Sequence, residues 1–126
     1  MTLNNATPVA FVSVSSREEG RAFYEGVLGL THQSSDEYGD FYALANGAVL
    51  RLTPLPDFAP IPHPVLGWNV PDIRAAANEL KAKGISFSIY EGMGQDELGI
   101  WTAPDGRAKV AFFNDPFGNA LSLAEH

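Results

Sequence analysis

Cysteine is absent from the 126 residues, so disulfides, thiol nucleophiles and zinc-thiolate sites are excluded together. No unbroken run of about 18 apolar residues occurs, which excludes a helical membrane span. Positive charge is sparse: eight Lys and Arg against fifteen Asp and Glu give a net charge of −7. Such a chain repels nucleic-acid phosphates and anionic lipid surfaces, so neither nucleic acid nor membrane is an expected partner. No Ser-His-Asp arrangement, phosphate loop or pair of catalytic histidines stands out. Residues 1–8 carry no positive charge and no apolar stretch of signal-peptide length, which makes the cytoplasm the expected compartment.

What is present is 45% hydrophobic and 11% aromatic, too apolar for disorder. The length suits one domain, or two small repeated units sharing a core. Val9–Val14 is an apolar, β-branched run and predicts a strand. Ser16 and Glu19 then fit a capping box, and Ala22, Phe23, Val27 and Leu28 recur at helical spacing up to Gly29, a candidate left-handed cap. From Leu30 the pattern shortens, with turn signals at Tyr38-Gly39-Asp40 and Asn46-Gly47, which predicts three antiparallel strands. The unit is βαβββ.

Five of the nine prolines fall within 54–64, a density that forbids helix and predicts an extended linker. The order then repeats: an apolar run at 65–70, a cap at Asp72, a helix with Ile73, Ala76, Ala77 and Leu80 on one face, and Gly84 at its end. Strands are expected at 85–90, 109–113 and 120–124. The reading is therefore one α+β domain of two βαβββ modules, about 8–54 and about 65–126, joined by the linker. An insertion at 91–107, rich in glycine around Ile100-Trp101, is too long for an ordinary connection and is expected to serve a site.

Two motifs carry a resemblance. The helix end Phe23-Tyr24-Glu25-Gly26-Val27-Leu28-Gly29-Leu30 and the turn Asp115-Pro116-Phe117-Gly118-Asn119 resemble the FY…LG and DPxGN signatures of the vicinal oxygen chelate superfamily. That superfamily comprises glyoxalase I, extradiol dioxygenases, fosfomycin-resistance enzymes and bleomycin-resistance binding proteins. The resemblance implies curved sheets around a cavity, a homodimer, and a divalent metal held by four side chains, one on the first and one on the last strand of each module. Carried over residue by residue, those positions fall on Val9, Arg51, Val65 and Ser122. Valine has no donor and a guanidinium repels the ion, so no cofactor is expected. The alternative donors are His63, set between Pro62 and Pro64, and Glu125 and His126, taken as frayed terminal residues. His32 is read as a surface residue without a role.

Alternation places Val9, Phe11 and Ser13 on one face of the first strand and Val65, Gly67 and Asn69 on the matching face of the fifth, with Trp68 in the core. The candidate ligand-binding residues are Phe11, Ser13, Arg51, Asn69, Trp101 and Ser122. Arg51 either reaches water or an acidic neighbour, or presents its planar fork to an anionic ligand. Trp101 either anchors the insertion or forms an aromatic platform on a lid loop, closing one cavity with Arg51. Gln95-Asp96-Glu97 reads as a solvated turn, with Glu97 the candidate general base if its surroundings are apolar. The leading function is metal-independent binding or sequestration of a small apolar or aromatic molecule. The alternatives are a glyoxalase-type lyase or isomerase with a displaced or absent metal site, and a protein whose cavity is filled by its own side chains.

Overall fold

A computed structural model describes residues 2–126, and the chain divides within the proline-rich segment into two compact units, residues up to Ala59 and Pro60–His126. In the first unit β1 (Val9–Val14) leads into α1 (Arg17–Arg21), whose N-terminus is closed by Ser16 Oγ accepting from the Glu19 N–H at 3.2 Å. The helix continues as a π-helical segment, Ala22–Val27. Its wider turn is marked by the Leu28 N–H donating to the Phe23 carbonyl five residues back, a spacing that the apolar pattern does not distinguish from the ordinary α register. Gly29 ends it at φ 73°. β2 (Thr31–Asp36), β3 (Gly39–Ala43) and β4 (Val49–Pro54) complete a sheet in the order β1-β4-β3-β2, with β1 parallel to β4. Asn46 and Gly47, both at positive φ, turn the chain between β3 and β4.

The second unit repeats this order. β5 (Pro64–Asn69), α2 (Ile73–Ala82), β6 (Trp101–Thr102), β7 (Lys109–Asn114) and β8 (Ala120–Glu125) form a sheet ordered β5-β8-β7-β6, with β5 parallel to β8. Asp72 caps α2 by accepting from the Ala75 N–H at 3.0 Å. The buried Asp115 accepts from the N–H groups of Phe117 and Asn119, both at 2.9 Å, and this closed turn sets the β7–β8 register. Two prolines of the expected linker, Pro54 and Pro64, lie at strand ends. No described helix is long and apolar enough to cross a membrane.

Each sheet packs one face against its helix. In the first unit Val12, Val14, Phe23, Tyr24, Tyr42, Leu50 and Leu52 are buried; in the second, Ile73, Ala77, Ala111, Phe113, Leu121 and Leu123. Burying a side chain of this kind contributes about 1.5–3 kcal/mol. Gly20 is buried where α1 meets the sheet, and a Cβ there would stand at ordinary contact distance, 3.4 Å from the Val14 side chain and 3.5 Å from that of Leu52.

Two expectations are corrected. Residues 85–90 are not a strand. Ser88 N–H donates to the Phe112 carbonyl at 2.7 Å, but the Gln95 carboxamide takes the place of a second strand, accepting from Tyr90 N–H and donating to the Ser88 and Gly99 carbonyls. The outer strand is instead β6, inside the expected insertion, so Trp101 sits in a sheet rather than on a lid loop.

Candidate functional site

The faces turned away from the helices carry every candidate ligand-binding residue. In the first sheet the register places Phe11, Arg51 and Phe41 in one row across β1, β4 and β3, with Ser13 opposite Thr53 in the next. The Arg51 guanidinium lies 5.6 Å from the centroids of both rings, an arrangement of cation over aromatic faces. Phe11 is 63% exposed, although it stands mid-strand. Arg51 Nη2 donates to the Tyr38 carbonyl at 3.3 Å. Its Nε is buried without an acceptor, as is Thr53 Oγ1 two residues along the same strand. Leaving a buried donor unsatisfied costs about 1–3 kcal/mol, so such atoms are rarely left without a use.

The opposite face of this sheet holds a charged cluster that the sequence reading passes over. Asp40 is 1% exposed at its side chain and accepts from Arg17 through Nε at 3.3 Å and Nη2 at 2.9 Å, from Arg21 Nη1 at 3.3 Å and from Ser35 Oγ at 2.7 Å. Burial alone would raise its pKa; the hydrogen bonds from Arg17 and Ser35 and the two cations outweigh this and hold the carboxyl below its usual range. His32 is tied into the cluster, its Nε2 donating to Ser35 Oγ at 2.7 Å. The one available signal was Arg17 and Arg21, four residues apart and thus on one helix face.

In the second sheet Trp101, Val110, Ala124 and Asn69 form one row, and Phe112, Ser122 and Gly67 the next. Trp101 and Asn69 therefore share a face but stand on opposite edges of the sheet. Ser122 Oγ overlies Gly67, filling the space that a Cβ would need. On the same face the segment Pro60 to Pro64, with Tyr90, Met93, Phe112 and Asn114, encloses a cleft of about 600 Å³ that none of Asn69, Trp101 or Ser122 lines. Proline density was its only trace in the sequence.

The remaining candidates lie elsewhere. The Glu97 side chain is 75% exposed and paired with Arg74 at 3.2 Å. A hydrogen bond from its own backbone, then one from Arg74, lowers its pKa. The apolar surroundings that a general base with a raised pKa requires are not there. Nor is its turn simply solvated: Asp96 Oδ1 accepts from Leu98 and Ile100 N–H, both at 2.9 Å, and Gln95 braces the backbone as described. Glu125 is not frayed. It belongs to β8, and its Oε1 accepts from Ile73 N–H at 2.9 Å, closing the N-terminus of α2. His63 is exposed, its Nδ1 donating to the Pro64 carbonyl at 3.0 Å.

The family model of the glyoxalase/bleomycin resistance protein/dioxygenase superfamily matches residues 8–123. The chain belongs to this superfamily. Solved structures with the same fold include a glyoxalase family protein from Enterococcus faecalis (18% identity, TM-score 0.76, covering 98% of this chain and 100% of that one). A fosfomycin resistance protein from Listeria monocytogenes (11%, 0.75, 97% and 93%) and a lactoylglutathione lyase from Agrobacterium tumefaciens (18%, 0.70, 96% and 93%) share it too. Among curated proteins none matches.

At the four positions where the superfamily resemblance implies a metal, the side chains do not fit a divalent ion. Val9 and Val65 have no donor, Ser122 offers one hydroxyl, and Arg51 brings a positive charge to the position itself. Among the described residues no group of three or more His, Cys, Asp or Glu is placed to hold a metal elsewhere.

Proposed function

We propose that this superfamily member binds a small apolar or aromatic molecule on the open faces of its sheets, without a metal. The observation that carries the reading is Arg51 at a metal position, flanked by Phe11 and Phe41: the residues supply apolar surface and a fixed cation in place of a coordination sphere. Affinity on such a surface needs apolar burial and a few polar anchors; the first sheet offers Ser13 beside Arg51, Phe11 and Phe41, and the open face of the second sheet separately offers Asn69, Ser122 and the aromatic Trp101. The same reading has the protein act in the cytoplasm and as a homodimer, the second because β1, β5 and β6 are outer strands with unpaired backbone groups that a second copy would cover.

Elemental analysis of purified protein with a thermal-shift screen tests this against a glyoxalase-type lyase or isomerase. The expected result is no stoichiometric divalent metal and a raised melting temperature with aromatic compounds. Stoichiometric metal, or turnover of thiol-conjugated aldehydes, would establish the enzyme reading. Light scattering at micromolar concentration is expected to give twice the 13.6 kDa chain mass.

A further inference from the structure

We infer that the first sheet carries an oxyanion site, in which Arg51 takes the carboxylate of a flat apolar ligand between the rings of Phe11 and Phe41. The inference rests on the small-molecule reading above and adds the ligand's charge. Arg17, Arg21, Arg74 and Lys109 each face an Asp or Glu, whereas the hydrogen bond made by the Arg51 guanidinium is a long one to the Tyr38 carbonyl. The Arg51 Nε is buried with no acceptor, resting over Gly39, where a Cβ would lie 3.4 Å from it. The cation is thus held in place by aromatic faces and one weak bond, with most of its donors unused.

A guanidinium presents parallel N–H pairs that match the two oxygens of a carboxylate. Arrival of the anion exchanges the long bond to Tyr38 for such a pair and lifts the fork from Gly39, so that Nε and Nη2 donate together. The Tyr38 carbonyl is released at an exposed residue, where water replaces the lost donor. Phe11 and Phe41 keep water from the new ion pair, which strengthens it, and offer ring faces to the flat body of the ligand. With a net charge of −7 the chain as a whole repels anions, so preference for one is a local signature of Arg51.

The intact protein is titrated with benzoate, benzamide and benzylamine, one flat body carrying three charges, by calorimetry and by NMR of the Arg51 Nε–H resonance. Benzoate is expected to bind about tenfold to hundredfold more tightly than benzamide, with benzylamine weakest. The Nε–H resonance should move downfield with benzoate alone. Arg51→Gln should reduce benzoate to the level of benzamide, and Arg51→Lys, which keeps the charge without the fork, should recover part of the difference. Equal affinity for benzoate and benzamide overturns the oxyanion site while leaving the small-molecule reading intact. Absence of benzoate binding, or binding that leaves the Nε–H resonance unmoved, overturns it as well. The series in the unaltered protein decides the matter even where Arg51→Gln does not fold.

Discussion

Tyr42 donates its phenolic hydrogen to Glu25 Oε1 at 2.8 Å, joining the middle of the first sheet to the π-helical turn. Tyr42 is fully buried, and that burial, reinforced by the hydrogen bond to Glu25 and the charges of Glu25 and Asp40, pushes its pKa well above the ordinary phenol value. The unfolded chain releases this proton near pH 10, while the native state keeps it. Above that pH the native state binds more protons than the unfolded one, so the contribution of Tyr42, complete at neutral pH, falls as pH rises. In an alkaline titration followed by tyrosinate absorbance, the component that Tyr42→Phe removes should appear only as the protein unfolds. Tyr42→Phe should lower stability by about 1–2 kcal/mol in chemical denaturation.

Asp40→Asn should cost about 1.5–3 kcal/mol, since it removes the charge that Arg17 and Arg21 face while both arginines remain partly open to water. Because the native pKa of Asp40 is depressed, its contribution is present above the unfolded value near 4 and is lost as pH falls below it. Acid denaturation followed by circular dichroism should therefore begin at higher pH in the unaltered protein than its neutral-pH stability alone implies, and the variant should lack this component.

Gly39→Ala tests how closely β3 and β4 approach. A Cβ would meet the Leu52 carbonyl at 2.5 Å, and a backbone atom in a central strand cannot turn aside. A loss of about 1–3 kcal/mol is expected in thermal or chemical denaturation. The added methyl also displaces Arg51, whose Nε rests over the same glycine.

Gln95→Ala should loosen residues 88–100, because one carboxamide serves three backbone groups there. Hydrogen exchange at Tyr90 and its neighbours should accelerate strongly, while β7 and β8 retain their protection. Uniform acceleration over the whole second unit would instead mean that this segment opens only with the sheet.

Much of the fold was legible because the signals were local. Ser16 and Asp72 cap their helices, Gly29 and Gly84 adopt positive φ, and Asn46-Gly47 and Asp115 to Asn119 form tight turns. Alternation also separated the two faces of β1 and β4. Three features lay beyond such signals. Ile85, Phe87 and Ile89 alternate as a strand does, but the backbone groups of Ser88 and Tyr90 bond the Gln95 carboxamide, which alternation does not signal. Asp40 reads as a turn residue until two arginines of α1 fold onto it. Glu125 reads as a loose end until β8 carries it to the start of α2. In the candidate site, the type of Arg51 was visible, while its flanking by Phe41 depends on a pairing between β3 and β4 that only the register supplies.

All six residues of β2 are exposed, the strand forms one border of its sheet, and its register slips between His32 and Ser34. An open border of this kind is ordinarily a template on which a second chain can extend the sheet and seed fibrils. The slip breaks the regularity of the strand, and Thr31, His32, Gln33, Ser34, Ser35 and Asp36 offer no apolar stripe for stacking. Copies that met along β2 would therefore bury no apolar surface there, and this border gives fibril growth little to hold.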